Sequence, residues 1–310
     1  MARSNPVFGN DAAFRPSGSG EYAPAPQYNQ GFQQAPYGQA QNDQAQFGQT
    51  QFGQPAPSAA DLNSMFNQPS ATGHDTGRVT YRDILNALTA TLGVVVLVGG
   101  AIMALPVIAG LAGGYEMEVA ARGFTLVLAI LGMIGSLVFG IWGTVTKKPS
   151  PVLTLAYAVF EGLLLGGISS MFESIYPGIV IQAVLATFAV VASILVLFRM
   201  GKLRTSPKLT KIFFVALGAY MIFSLVNLAL VIFTQTNLRY GEFSWLGVGI
   251  GLIAVALASY SLVMDLEVAQ NAVANGAPRP VMWKVALGIA ITVVWMYVEI
   301  LRILSILRQD

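Results

Sequence analysis

The chain has 310 residues, 55% of them hydrophobic and only 10% charged, with a mean hydropathy of +0.62. Soluble domains carry about 25% charged residues, so that class is excluded. A net charge of +2 gives no reason to expect nucleic acid as a partner, and the absence of cysteine removes disulfides, thiol catalysis and thiolate metal sites together.

Residues 1–80 form a first region rich in Gln, Gly, Pro and aromatic residues, with a near-repeat in Gln46-Phe47-Gly48-Gln49 and Gln51-Phe52-Gly53-Gln54. It holds no apolar run, so no cleaved leader is expected. Such a composition buries too little surface to offset the entropy of ordering, and a disordered tail is predicted. Its spaced Phe and Tyr suit either a plain linker or a docking and self-association segment. The stretch Ala60-Asp61-Leu62-Asn63-Ser64-Met65-Phe66 fits a turn of helix formed on a partner.

Residues 81–310 change abruptly to long apolar runs, each near the roughly 20 residues that carry a helix across about 30 Å of hydrocarbon. The runs fall at 86–111, 124–144, 151–172, 178–199, 211–234, 245–266 and 283–306. They are continuous and not alternating, which excludes a barrel. The prediction is an all-α, polytopic membrane bundle of about seven spans. Lys147 and Lys148 follow the second run; Arg199, Lys202, Arg204, Lys208 and Lys211 follow the fourth; Arg279 and Lys284 follow the sixth. The alternate loops hold only Arg122 and Arg239. Basic loops stay in the cytoplasm, so the tail is predicted to be cytoplasmic and, with an odd number of spans, the C-terminus to lie outside.

Gly162-xxx-Gly166 in the third run and Gly247-xxx-Gly251 in the sixth mark close helix contacts. Trp245 and Trp283 suit the aromatic belt. The informative residues are the acids at membrane depth, because each is costly there. Glu161 lies about 15 Å into the third run at 1.5 Å per residue; it suits either a protonated acid hydrogen-bonded within the bundle or a proton or cation site. Glu299 lies deep in the last run with Arg302 on the same helix face, as a local ion pair or as part of that site. Asp265 and Glu267 are read as closing the sixth run at its cytoplasmic end, Glu267 as an interfacial charge. Tyr260, Trp295 and Tyr297 are placed to donate to these acids or to pack near them.

Tyr157-Ala-Val-Phe-Glu161-Gly162, Gly178-Ile-Val-Ile-Gln-Ala-Val-Leu-Ala-Thr187, Asp265 and Tyr297-Val-Glu299 resemble the Bax inhibitor-1 family, in particular its bacterial YccA-like branch of actinobacterial type. The resemblance covers about residues 78–307 and the Ser4-Asn-Pro-Val-Phe8 start of the tail. It implies six helices around a central, C-terminal seventh and a pH-sensitive calcium leak. It also implies a proton-sensing pair of acids, one ending the sixth span and one in the seventh after an aromatic-x pair. The matching positions are Asp265 and Glu299, with Glu in place of the family's second Asp.

The expected function is therefore a pH-gated calcium or cation leak channel in the bacterial plasma membrane. Its ion and proton site is Asp265, Glu299 and Glu161, with Arg302, Tyr297 and Glu267 in support. No cofactor and no high-affinity metal site is expected, since the acids form no EF-hand or comparable loop. The alternative is a non-conducting regulator that binds a membrane-bound protease or another protein through the tail. Enzyme chemistry is not expected: the lone His74 is in the tail, the runs hold a single aspartate, Asp265, and no nucleotide motif is present.

Overall fold

The computed structural model describes residues 77–239 and 244–309; the expectations for the tail, including its disorder and the turn at 60–66, lie outside them. The described residues form six helices: α1 Tyr81–Val145, α2 Pro151–Ile175, α3 Ile179–Arg199, α4 Pro207–Thr234, α5 Ser244–Ala274 and α6 Val281–Leu307. Each is long and apolar enough to cross a membrane.

Capping chemistry sets the starts. Thr80 and Asp83 form a reciprocal box at α1, with Asp83 N–H donating to Thr80 Oγ1 at 3.2 Å and Thr80 N–H to Asp83 Oδ2 at 3.0 Å. Ser150 and Ser206 cap α2 and α4, each followed by a proline whose missing N–H costs nothing at the first helical position. The start of α3 is held differently: Gly178 has a left-handed φ of 81°, and the Glu173 carboxylate accepts from Gly178 N–H at 2.6 Å and Val180 N–H at 3.1 Å.

The seven apolar runs are distributed over these six helices because the first two lie together in α1. The loop expected between them is helical except at Gly114, whose φ of 74° and ψ of −164° break the helix. Asp83, at the start of α1, is 3.2 Å from Arg279, and the carbonyl of Thr146, just past its end, accepts from Lys284 Nζ at 3.3 Å. A straight helix of 65 residues would hold those ends about 100 Å apart. The chain therefore doubles back near Gly114, and α1 consists of two antiparallel limbs.

Both limbs grip α2. A Cβ on Gly166 would lie 2.6 Å from Gly99 O, and one on Gly162 would lie 2.7 Å from Val98 Cβ, so the first limb crosses α2 backbone to backbone. The second limb does the same through Gly132, against Phe160 O, and through Ala129, against Gly167. In hydrocarbon no hydrophobic effect drives helices together, so close dispersion contact of this kind supplies the cohesion.

The last helix, α6, packs on α1, α2, α3 and α5 and is the most buried of the six. Leu287, Ala290, Met296 and Leu301 along it are fully enclosed. At the other extreme, α4 buries only Thr210 and Phe213. Its broad apolar exposure, anomalous in water, is what lipid requires of an outer helix.

The bundle has a basic end, where the residues before α1, the α5–α6 loop and the α1–α2 and α3–α4 connections gather. Val79 N–H donates to Ala277 O at 2.8 Å and Arg279 N–H to Gly77 O at 2.9 Å, and Thr205 hydrogen-bonds Glu267. One expectation is corrected here: Asp265 and Glu267 do not close their helix. α5 runs on to Ala274 because Val268, Ala269 and Ala272 continue its buried face and Thr205 satisfies Glu267.

Candidate functional site

The extension of α5 past Asp265 brings that residue to about 13 Å from the end of its helix, at 1.5 Å per residue. Thr292 lies about 16 Å along α6 and Glu161 about 15 Å along α2, so the three share a level inside the bundle. Asp265 is 8% exposed and accepts a hydrogen bond of 2.7 Å from Thr292 Oγ1. With its proton committed to Asp265, Thr292 accepts from Ser261 Oγ at 3.3 Å. Ser261 is one turn before Asp265, so one face of α5 and one residue of α6 form a chain of three oxygen-bearing side chains. Among the described residues no ion pair involves Asp265, and no group of three or more acids or histidines is placed to hold a metal.

Glu161 is 7% exposed and interacts with the side chains of Ser136, on the second limb of α1, and Tyr157, one turn earlier on α2. Tyr157 packs with Leu287 and Ala290 of α6. Glu161 and Asp265 therefore approach α6 on different faces, and the structure does not bring them together.

Glu299 stands apart from both. It lies seven residues beyond Thr292, about 10 Å along α6, toward the end opposite the basic one. Its Oε1 accepts from Arg302 Nη1 at 2.7 Å and from the Tyr220 hydroxyl, and its Oε2 accepts from Arg239 Nη1 at 3.3 Å. Arg239 is only 3% exposed, with its guanidinium 5.2 Å from both the Tyr220 and the Phe223 ring centroids and its Nη2 donating to Ser224 Oγ. Two arginines and a phenol thus neutralise this acid, whereas Asp265 has only hydroxyl company. The pairing of Asp265 with Glu299 that the resemblance implied is absent, and Thr292 occupies the place beside Asp265.

The supporting residues divide in the same way. Arg302 belongs to the Glu299 clamp. Tyr297 points away from it and shares a 2.7 Å hydrogen bond with Ser169 of α2. Glu267 is outside the bundle interior, fixed to the backbone N–H of Thr205 at 2.7 Å and to its hydroxyl. The sequence reading missed Thr292, Tyr220 and the burial of Arg239. A threonine in an apolar run carries no periodic signal, and Arg239 looked like an ordinary loop charge. The one usable clue was the scarcity of cations on its side of the membrane, which left Glu299 few partners.

Among the described residues Asp265 is held by a hydroxyl and by no ion pair, whereas Glu299 is held by two arginines. A carboxylate with two hydroxyls offers a passing hard cation fewer oxygens than the six to eight that calcium takes in a binding cage.

A family model described as Bax inhibitor 1 like matches residues 5–309, and so takes in nearly all of the tail as well as the six helices. Neither the curated proteins nor the solved structures give a match.

Proposed function

The chain belongs to the Bax inhibitor 1 like family, and from that premise we propose that this multi-pass membrane protein is a pH-gated leak pathway for cations, calcium among them. The observation that carries the reading is Asp265, a carboxylate of α5 enclosed against the central α6 which, among the described residues, has no cationic partner and accepts a hydrogen bond from Thr292. Protonated, it leaves the α5–α6 seam neutral and closed. Ionised, it draws water and cations to the seam, since an unpaired charge in low dielectric is costly. Weak coordination suits conduction, because an ion that binds tightly does not leave. Glu161 supplies a second acid at the same level on the other side of α6. Glu299, clamped by its arginines, acts as the anchor that keeps the far end shut and is not an ion ligand.

In this reading the chain crosses the membrane seven times, the two limbs of α1 counting separately, and six crossings surround α6. The basic end faces the cytoplasm of a bacterium, together with the tail, and the C-terminus lies outside. The protein performs no chemistry on a substrate.

Calcium entry into liposomes holding the purified chain at pH 6, 7 and 8 tests this. Flux that rises with pH, and that Asp265→Asn fixes at its acid-side level at every pH, is the expected outcome. No flux above empty liposomes would overturn the reading in favour of a non-conducting regulator that docks a membrane protease or another protein through the tail.

A further inference from the structure

A crevice runs down one flank of the bundle between the first limb of α1 and α3. It exists because α3 leans on α6, with smaller contacts to α2 and α5, and stands off α1. Its volume is about 1130 Å³, beyond the roughly 300–1,000 Å³ of small-molecule pockets. On α3 the lining extends from Val180 to Arg199, about 28 Å at 1.5 Å per residue, or nearly the whole hydrocarbon thickness. The walls open sideways: Leu85, Val96 and Phe188 line the crevice and are 59%, 68% and 68% exposed.

The lining is aliphatic and aromatic along its length. Its deeper hydroxyls are hydrogen-bonded within the protein, Thr187 to Ala183 O and Ser169 to Tyr297. Charge appears only at the basic mouth, where Arg199, Arg204 and Gln270 join the lining. Arg204 Nη1 donates to Gln270 Oε1 at 2.7 Å, and its guanidinium lies 5.0 Å from the Phe198 ring centroid, which fixes its direction. Among the described residues no ion pair or hydrogen bond engages the Arg199 side chain. The nearby carboxylate of Glu267 is occupied by Thr205.

We propose that this crevice is a binding site for an anionic phospholipid of the leaflet at the basic end, its acyl chains lying between α1 and α3 and its phosphate held by Arg199 and Arg204. An apolar slot as tall as the bilayer and open to it takes chains, and two arginines at one mouth select the charge of the headgroup. The site is independent of conduction, so it stands or falls separately from the leak.

The test uses the full chain, stripped of lipid in detergent, with phosphatidylglycerol or phosphatidylcholine added and the bound lipid counted by native mass spectrometry. The wild type is expected to prefer phosphatidylglycerol about thirtyfold, the equivalent of about 1 kcal/mol for each arginine. Arg199→Ala with Arg204→Ala brings the two lipids near parity; both side chains are exposed, so folding is not at stake. Lys147→Ala with Lys148→Ala, at the same end but off the crevice, leaves the preference intact. Gly100→Phe, at a lining position where an added Cβ meets nothing within 4 Å, fills the slot and removes the bound lipid. Equal retention of the two lipids by the wild type, equal loss in the lysine pair, unchanged binding in Gly100→Phe, or no retained lipid at all would each overturn the proposal.

Discussion

Arg239 and Glu299 meet 3.3 Å apart with side chains 3% and 2% exposed, a buried ion pair formed between the segment after α4 and the central helix. Removing one member leaves the other charged in low dielectric. Glu299→Gln is expected to lower stability by about 3–5 kcal/mol, read as a fall in melting temperature in detergent. Arg302→Ala, at a side chain 28% exposed, is expected to cost about 1 kcal/mol or less. Equal losses for the two would contradict the assignment of Arg239 as the buried partner.

Among the described residues Asp265 has a single donor, Thr292. Thr292→Val deletes that donor and leaves a buried acceptor unsatisfied, with an expected loss of about 1–3 kcal/mol; Thr292→Ser restores the hydroxyl and most of the stability. In the flux assay Thr292→Val shifts the pH at which calcium entry changes, while Thr292→Ser keeps the wild-type profile. An unshifted profile in Thr292→Val would place the pH response elsewhere.

The glycines that set the α1–α2 crossing give a contrast within one residue type. Gly166→Leu forces side-chain atoms against Gly99 O and Ile102, and overpacking of this sort costs about 1–3 kcal/mol. At Gly218 in α4 an added Cβ meets nothing within 4 Å, and Gly218→Leu is expected to leave the melting temperature within about a degree of wild type.

The reversal at Gly114 returns the end of α1 to the level of its start. Since the chain has no cysteine, single cysteines report topology without background. Tyr115→Cys and Lys148→Cys are expected to react with an impermeant maleimide from opposite faces of the membrane. Labelling of both from one face would mean that the limbs of α1 do not each cross. Gly114→Ala tests the turn itself: φ 74°, ψ −164° is open essentially to glycine alone, and the strain is about 1–3 kcal/mol.

Much of the bundle was legible because hydrocarbon imposes simple rules. Apolar runs of about 20 residues announced the helices, and Ser150-Pro151 and Ser206-Pro207 marked two of the starts. Gly162 and Gly166 announced a close crossing but not its partner, which only the packing of Val95, Val98 and Gly99 discloses. The end of α5 was misplaced since Asp265 and Glu267 resemble an interface, and nothing local tells that Thr205, more than sixty positions earlier, receives Glu267. The acids were found, and so was Arg302 beside Glu299, but Thr292, Tyr220 and Arg239 were not. Depth along a helix can be counted from sequence, but the face on which Glu161, Asp265 or Glu299 meets a neighbour depends on how α6 is rotated among the others.

Among the described residues, the most buried helix of the bundle is also the latest in chain order. α1, α2, α3 and α5 are made before the α6 they pack on, so their arrangement is provisional until it arrives. The contacts of Val79 with Ala277 and of Gly77 with Arg279 close in the same step, joining the threshold of α1 to the loop that delivers α6. Assembly of the bundle is thus all-or-none at that step: a chain halted before α6 holds the walls and lacks the post they lean on.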